Sequence, residues 1–218
     1  MGILTLAEFQ EEVKEETGRD PGTPRLNRLI NAGYREVAYA FQFRELEATH
    51  PFSTAAGTYT EPLSNFPNFR MLHEVGIWIV GPDDNSPKEL IPESRRRYIE
   101  NQELHQTDAQ GVPGWYHIYG GNLYLRPIPD DAYDLEAHYW RRVTDLSNPT
   151  DVTFLSDDWD EAVKTASIYR MFRAYGEFDR YQNVRKDFLG IVRSRMLEID
   201  VEPFPEGGID VAREEWDV

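Results

Sequence analysis

The sequence predicts an α+β protein: an antiparallel helical bundle built from the N-terminal and C-terminal helices, a β-rich insertion between them, and an extended C-terminal tail. Three observations carry this expectation. Apolar residues recur at helical spacing over 24–41 and again over 159–199. Between these stretches the period shortens to the alternation of strands, most clearly around Gly120-Gly121-Asn122. After Pro203 the periodicity is lost and the composition turns acidic. The implied domains are 1–42 and 146–200 for the two halves of the bundle, 43–145 for the insertion and 201–218 for the tail.

Thr5-Leu6-Ala7-Glu8 has the spacing of a capping box, so a short helix is expected to run to about Thr17 and stop before Gly18. Leu6, Phe9 and Val13 form its apolar stripe, and Glu8, Glu11, Glu12, Glu15 and Glu16 face water. Thr23-Pro24 marks a second start, because proline at the first helical position sacrifices no hydrogen bond. Leu26, Leu29, Ile30, Gly33, Val37 and Phe41 then give one amphipathic face.

From Phe43 onward short strands are expected at 46–49 and 57–60. A longer one is expected at 71–80, where the run from Val75 to Val80 is apolar enough to predict burial on both faces. Gly81 to Pro87 reads as an exposed turn, Glu89-Leu90-Ile91 as a returning strand, and 93–105 as a short helix. Trp115 to Tyr119 and Leu123 to Leu125 flank the Gly-Gly-Asn turn of a hairpin. Tyr116, Ile118, Leu123 and Leu125 fall on one face; His117, Tyr119, Tyr124 and Arg126 fall on the other. Pro127 and Pro129 end the second strand, and the alternation from Tyr133 to Tyr139 predicts a third that completes a meander.

Ser156 is the expected N-cap of the next helix, whose first turn carries Asp157, Asp158, Asp160 and Glu161. Trp159, Ala162, Val163, Ala166, Tyr169 and Phe172 form its stripe. Gly176 interrupts it, and Tyr181, Val184, Phe188, Ile191 and Val192 begin another. Two such helices joined by a short break pack antiparallel. Over 197–218 there are eight acidic residues against one basic, with Phe204, Ile209, Val211 and Trp216 scattered among them. These four are the anchor types that a partner groove accepts; an acidic tail that only solubilises is the alternative reading.

Composition narrows the function classes. The absence of cysteine excludes disulfides, thiol chemistry and cysteine-ligated zinc. No segment approaches the roughly 18 continuous apolar residues of a membrane span, and a signal-peptide pattern is missing from the N-terminus, so no membrane partner is expected. A net charge of -16 argues against a surface that grips nucleic acid; it fits ordinary solubility and a passage along which DNA slides equally well.

No catalytic constellation, cofactor site or metal site is predicted. The five histidines have no metal-binding spacing. His117 and His138 could meet across neighbouring strands with Asp134 or Glu136, but ordinary cross-strand pairing accounts for them. Asp83-Asp84-Asn85 lacks the spacing of a calcium loop and reads as a solvated turn. Arg95-Arg96-Arg97 is the best basic cluster. An exposed helix face explains it; a contact with an acidic neighbouring subunit or with DNA phosphates is the functional alternative.

Two helices, a β region with Gly111-x-Pro113-x-x-Tyr116, a Gly-Asn turn, Leu123-Tyr124-Leu125-x-Pro127-x-Pro129, a distal Tyr139 and a helix containing Trp159 together resemble the head-to-tail adaptor proteins of tailed bacteriophages. The chain is similar to the group of short-tailed phages that includes tail tubular protein A. The resemblance implies a virion protein at the portal–tail junction, assembled in the host cytoplasm. It implies a ring of twelve copies around a DNA channel, bound to the portal protein on one side and to tail nozzle or fibre proteins on the other. It also implies that the tail, with Phe204, Ile209, Val211 and Trp216, reaches the portal. Two other roles stay open from the residues alone. One is a fibre-attachment or carbohydrate-binding module using Trp115, Tyr119 and Tyr124, and the other is a hydrolase using His117.

Overall fold

The computed structural model describes residues 3–80, 88–97, 99 and 109–199. The chain divides into two compact units, Met1–Glu45 with Val143–Val218, and Leu46–Arg142.

The first unit contains α1 (Leu6–Thr17), α2 (Thr23–Ala40), α3 (Asp160–Ala174) and α4 (Phe178–Ile199). The capping box forms: the Thr5 side chain accepts from the Glu8 N–H, and the Thr5 N–H donates to Glu8 Oε2 at 2.7 Å. Helix α3 packs against α1, α2 and α4, and its charged first turn follows a 3₁₀ turn at Asp157–Trp159. Ser156 precedes that turn without a side-chain capping bond. Leu6, Phe9, Val13, Leu26, Ile30, Val37, Val163, Phe188 and Val192 are buried. Trp159 fills the centre of an aromatic group, 4.9 Å from Phe41 and 5.4 Å from Phe43 between ring centroids.

Helices α2 and α3 approach unusually closely at Gly33, where a Cβ would lie 2.8 Å from Ser167 Oγ and 3.0 Å from the Val163 carbonyl oxygen. Tyr34 is buried on the same helix and accepts a hydrogen bond from the Phe154 N–H at 3.0 Å. Burial pushes its hydroxyl pKa up to about 12.

The second unit contains β1 (Glu47–Ser53), β2 (Thr60–Pro62), β3 (Phe69–Ile79), β4 (Lys88–Pro92), β5 (Trp115–Tyr119), β6 (Asn122–Arg126) and β7 (Asp134–Arg141). They form one curled, mixed sheet in the order β1-β7-β3-β4-β5-β6-β2. Arg95–Arg97 and residue 99 are also helical. All neighbouring pairs are antiparallel except β4 and β5, which run parallel with Ile91 opposite Trp115. Phe66, Ile77, Leu90, Leu123, Leu125, Leu135, Ala137 and Tyr139 make the unit's own core.

This corrects the expected architecture. The protein is not an antiparallel helical bundle carrying a β-rich insertion. Among the described residues it is α+β, with five helices and a seven-stranded sheet that holds a separate core. The meander is also absent. β7 pairs with β1 and β3, whereas β6 has β2 and β5 as neighbours. Pro127 and Pro129 offer no amide to a ladder, so the chain leaves the sheet between β6 and β7.

Nor is β3 buried on both faces. Val75 and Val80 are exposed, and the β3–β7 register shifts between Leu72 and Ile77. Of the expected 93–105 helix, Glu93 and Ser94 are not helical and Arg95–Arg97 and residue 99 are; residues 98 and 100–105, like the turn at 81–87, fall outside the described residues.

Candidate interaction site

The hairpin turn sets the sheet's outer face. Gly120 and Gly121 have φ of 58° and 81°, which a two-residue turn between twisted strands requires and which glycine adopts without a Cβ clash. The resulting register opposes Tyr116 to Leu125 and Ile118 to Leu123 toward the core. On the other side it opposes Trp115 to Arg126 and His117 to Tyr124.

Parallel β4 adds Ile91 beside Trp115, and Tyr59 brings its ring to 6.1 Å from that of Tyr124. Ile91, Trp115 and Tyr119 are 56%, 44% and 48% exposed, a concentration of large apolar side chains that a protein interface would bury.

The segment after β4 folds over part of this face. The Glu93 carbonyl oxygen lies 3.0 Å from His117 Nδ1, and the Glu93 carboxylate lies 3.8 Å from Arg126. The Arg95 guanidinium stands 3.8 Å above the Tyr119 ring, within cation–π range. His117 is therefore buried between rings rather than open to a substrate, with Tyr119 stacked on it.

Of the residues singled out from the sequence, Arg95, Arg96 and Arg97 lie on exposed helical backbone beside this face, Arg95 already engaged by Tyr119. Phe204, Ile209, Val211 and Trp216 lie outside the described residues. His117 and His138 do not meet: β5 and β7 are separated in the sheet by β3 and β4. His138 instead pairs with Glu136 at 3.0 Å and contacts Thr49. Among the described residues no three His, Asp or Glu side chains gather as a metal would need, and no helix is long and apolar enough to cross a membrane.

A second surface was not foreseen. Where α3 turns into α4, Tyr175 and Phe178 are exposed, Phe178 by 64%. Arg19 and Arg25 stand 5.3 and 5.0 Å from the Tyr175 ring centre. Glu177 pairs with Arg19 at 2.6 Å and with Arg180 at 3.3 Å. The available signal was local: arginines at 173 and 180 bracket two aromatic residues in an otherwise acidic chain.

One buried carboxylate belongs to the helical unit. Asp160 Oδ2 accepts from the Leu4 N–H at 2.7 Å, while Oδ1 has no hydrogen-bond partner among the described residues. Burial raises its pKa above the ordinary carboxylate value, the Leu4 bond opposes this, and Asp157, Glu12 and Glu8 add repulsion.

No curated protein matches the chain in sequence, and the narrower likeness to the tail tubular protein A group is not confirmed. Residues 4–201, which take in both units, match the family described as SU10 adaptor protein, and the chain therefore belongs to that family of phage adaptors.

Proposed function

We propose that the chain is a structural joint that closes, copy against copy, into a ring between portal and tail around the channel through which DNA passes. Family membership makes it a phage adaptor and a virion component that meets other head and tail proteins, and it points to a non-enzymatic role. The observation that carries the rest is the sheet's outer face, where Ile91, Trp115 and Tyr119 stay exposed beside Arg95. Aromatic anchors with an arginine at their edge are what buried interface centres use.

Copies meeting through two different surfaces give heterologous contacts, which close into a ring when the rotation allows it. The net charge of -16 would keep DNA from adhering to such a channel. In this reading the tail residues Phe204, Ile209, Val211 and Trp216 serve the portal contact, and Arg95 to Arg97 a subunit or DNA contact.

The test is to mix the purified protein with its portal and examine the mixture by sedimentation and negative-stain electron microscopy. Closed rings seated on the portal are expected. Trp115→Ala and Tyr119→Ala should each weaken assembly by roughly tenfold or more while leaving the circular dichroism unchanged. Protein that stays unassembled at micromolar concentrations beside a competent portal would remove the reading. A carbohydrate-binding or fibre-attachment role draws on the same rings at Trp115, Tyr119 and Tyr124, and glycan binding by the isolated protein would put that role in its place.

A further inference from the structure

The corner between α3 and α4 has the character of a docking surface. Phe178 and Tyr175 present apolar area to solvent, and four arginines lie in or beside the turn: Arg19, Arg25, Arg173 and Arg180. Glu177 answers Arg19 and Arg180. Among the described residues no carboxylate lies within ion-pair distance of Arg25 or Arg173, whose guanidinium groups rest near the Tyr175 and Tyr181 rings. An occupant that suits this corner carries acids and large apolar side chains together.

The chain contains such a segment. Ile209, Val211 and Trp216 are interspersed with Asp210, Glu214, Glu215 and Asp217, four acids against the single Arg213, near the C-terminus. The lengths agree. Helix α4 has 22 residues, so its two ends are about 33 Å apart. The ten residues from 200 to 209, extended at about 3.3 Å each, also span about 33 Å. Pro203 and Pro205 within that span cannot continue a helix and favour an extended path. A tail that reverses after Ile199 and runs back beside α4 therefore delivers Ile209 to the corner, with the acidic and aromatic residues following it.

We propose that residues 209–217 fold back along α4 of the same copy and cover the Tyr175–Phe178 corner, their carboxylates meeting Arg25, Arg173 and Arg180. DNA phosphate is the less fitting occupant, because it offers nothing to bury Phe178 and would meet Glu177 and Asp179 as like charge. The latch is independent of the ring reading. It shields Phe178 before assembly, and any partner that takes the tail uncovers it.

The experiment places a photo-reactive benzoylphenylalanine at 216 in the full chain and maps the cross-links by mass spectrometry, using an equal mixture of isotopically heavy and light copies. Cross-links to the 173–181 stretch within single copies are expected. They should be lost in the double variant Arg25→Glu, Arg180→Glu with its thermal unfolding unchanged, and should weaken as salt is raised. Cross-links that join heavy to light copies, that fall on other surfaces or that survive the charge reversal would overturn the proposal. So would retention of duplex DNA by the full chain that the same double variant abolishes.

Discussion

The side chain of Asn31 and the backbone of Leu146 exchange two hydrogen bonds. Asn31 Nδ2 donates to the Leu146 carbonyl oxygen at 2.9 Å, and the Leu146 N–H donates to Asn31 Oδ1 at 2.7 Å. Both residues are buried, so water cannot replace either bond. Asn31→Ala leaves a buried N–H and a buried C=O unpaired, and the expected loss is about 2–4 kcal/mol of stability. Urea unfolding of the full chain measures it. A loss under about 0.5 kcal/mol would show that the pairing contributes little.

Gly33 tests the closeness of α2 to α3. The atoms that a methyl group would meet include the Val163 carbonyl and the Ser167 N–H, both backbone, so neither can rotate aside. Alanine normally strengthens a helix. Here Gly33→Ala is expected to destabilise by about 1–3 kcal/mol, the cost of overpacking a tight contact. Pairing it with Ser167→Ala removes the Oγ clash at 2.8 Å and is expected to recover only part of that loss.

The Tyr34 hydroxyl contributes to the alkaline limit. Its folded pKa is raised to about 12 from the ordinary tyrosine value of 10, so above pH 10 the unfolded chain sheds this proton before the folded one does. The neutral ring's contribution is whole below pH 10 and is lost as pH climbs toward 12. Tyr169 is shifted in the same direction, by burial first and by Glu36 beside it. Thermal unfolding between pH 8 and 12 should therefore fall steeply for the wild type. It should fall less for Tyr34→Phe, which starts lower because the Phe154 N–H loses its acceptor.

Asp160 acts with the opposite pH sense. Its folded pKa is raised, so the folded chain holds a proton that the unfolded chain has released. Stability from this group grows as pH falls from neutral through the raised value toward 3.8. Asp160→Asn is expected to raise the melting temperature at pH 7, where the buried charge is costly, and to lose that advantage in acid. A melting series from pH 3 to pH 8 on both proteins checks it. An advantage that did not vary with pH would assign the effect to packing.

The parts of the fold that were legible in the sequence rest on short-range chemistry. Thr5 and Glu8 are three residues apart, and the turn at Gly120-Gly121 fixes which of Tyr116, His117, Tyr124 and Leu125 face inward. The illegible parts rest on partners distant in the chain. Thr49 meets His138 across 89 residues as one of the seven opposed pairs that join β7 to β1, and alternation alone does not select β1 over β6 as that neighbour. Alternation in 133–139 is equally compatible with either neighbour. Arg19 reaches Glu177 across 158 residues, so the α3–α4 corner exists only once two remote segments are folded together. The outer face of the sheet was half legible. Trp115 and Tyr119 stood out, but Ile91 beside them depended on a parallel pairing that no local pattern announces.

The two units differ in how the chain builds them: one runs without interruption from Leu46 to Arg142, and the other is split by it. During synthesis α1 and α2 leave the ribosome well before α3, the helix that will bury their apolar stripes, has been made. The sheet, by contrast, has its seven described strands complete by residue 141. The β unit can therefore mature while Leu26, Ile30 and Val37 are still waiting for cover, and the interval needed to translate some hundred further residues is when a chaperone has most to do.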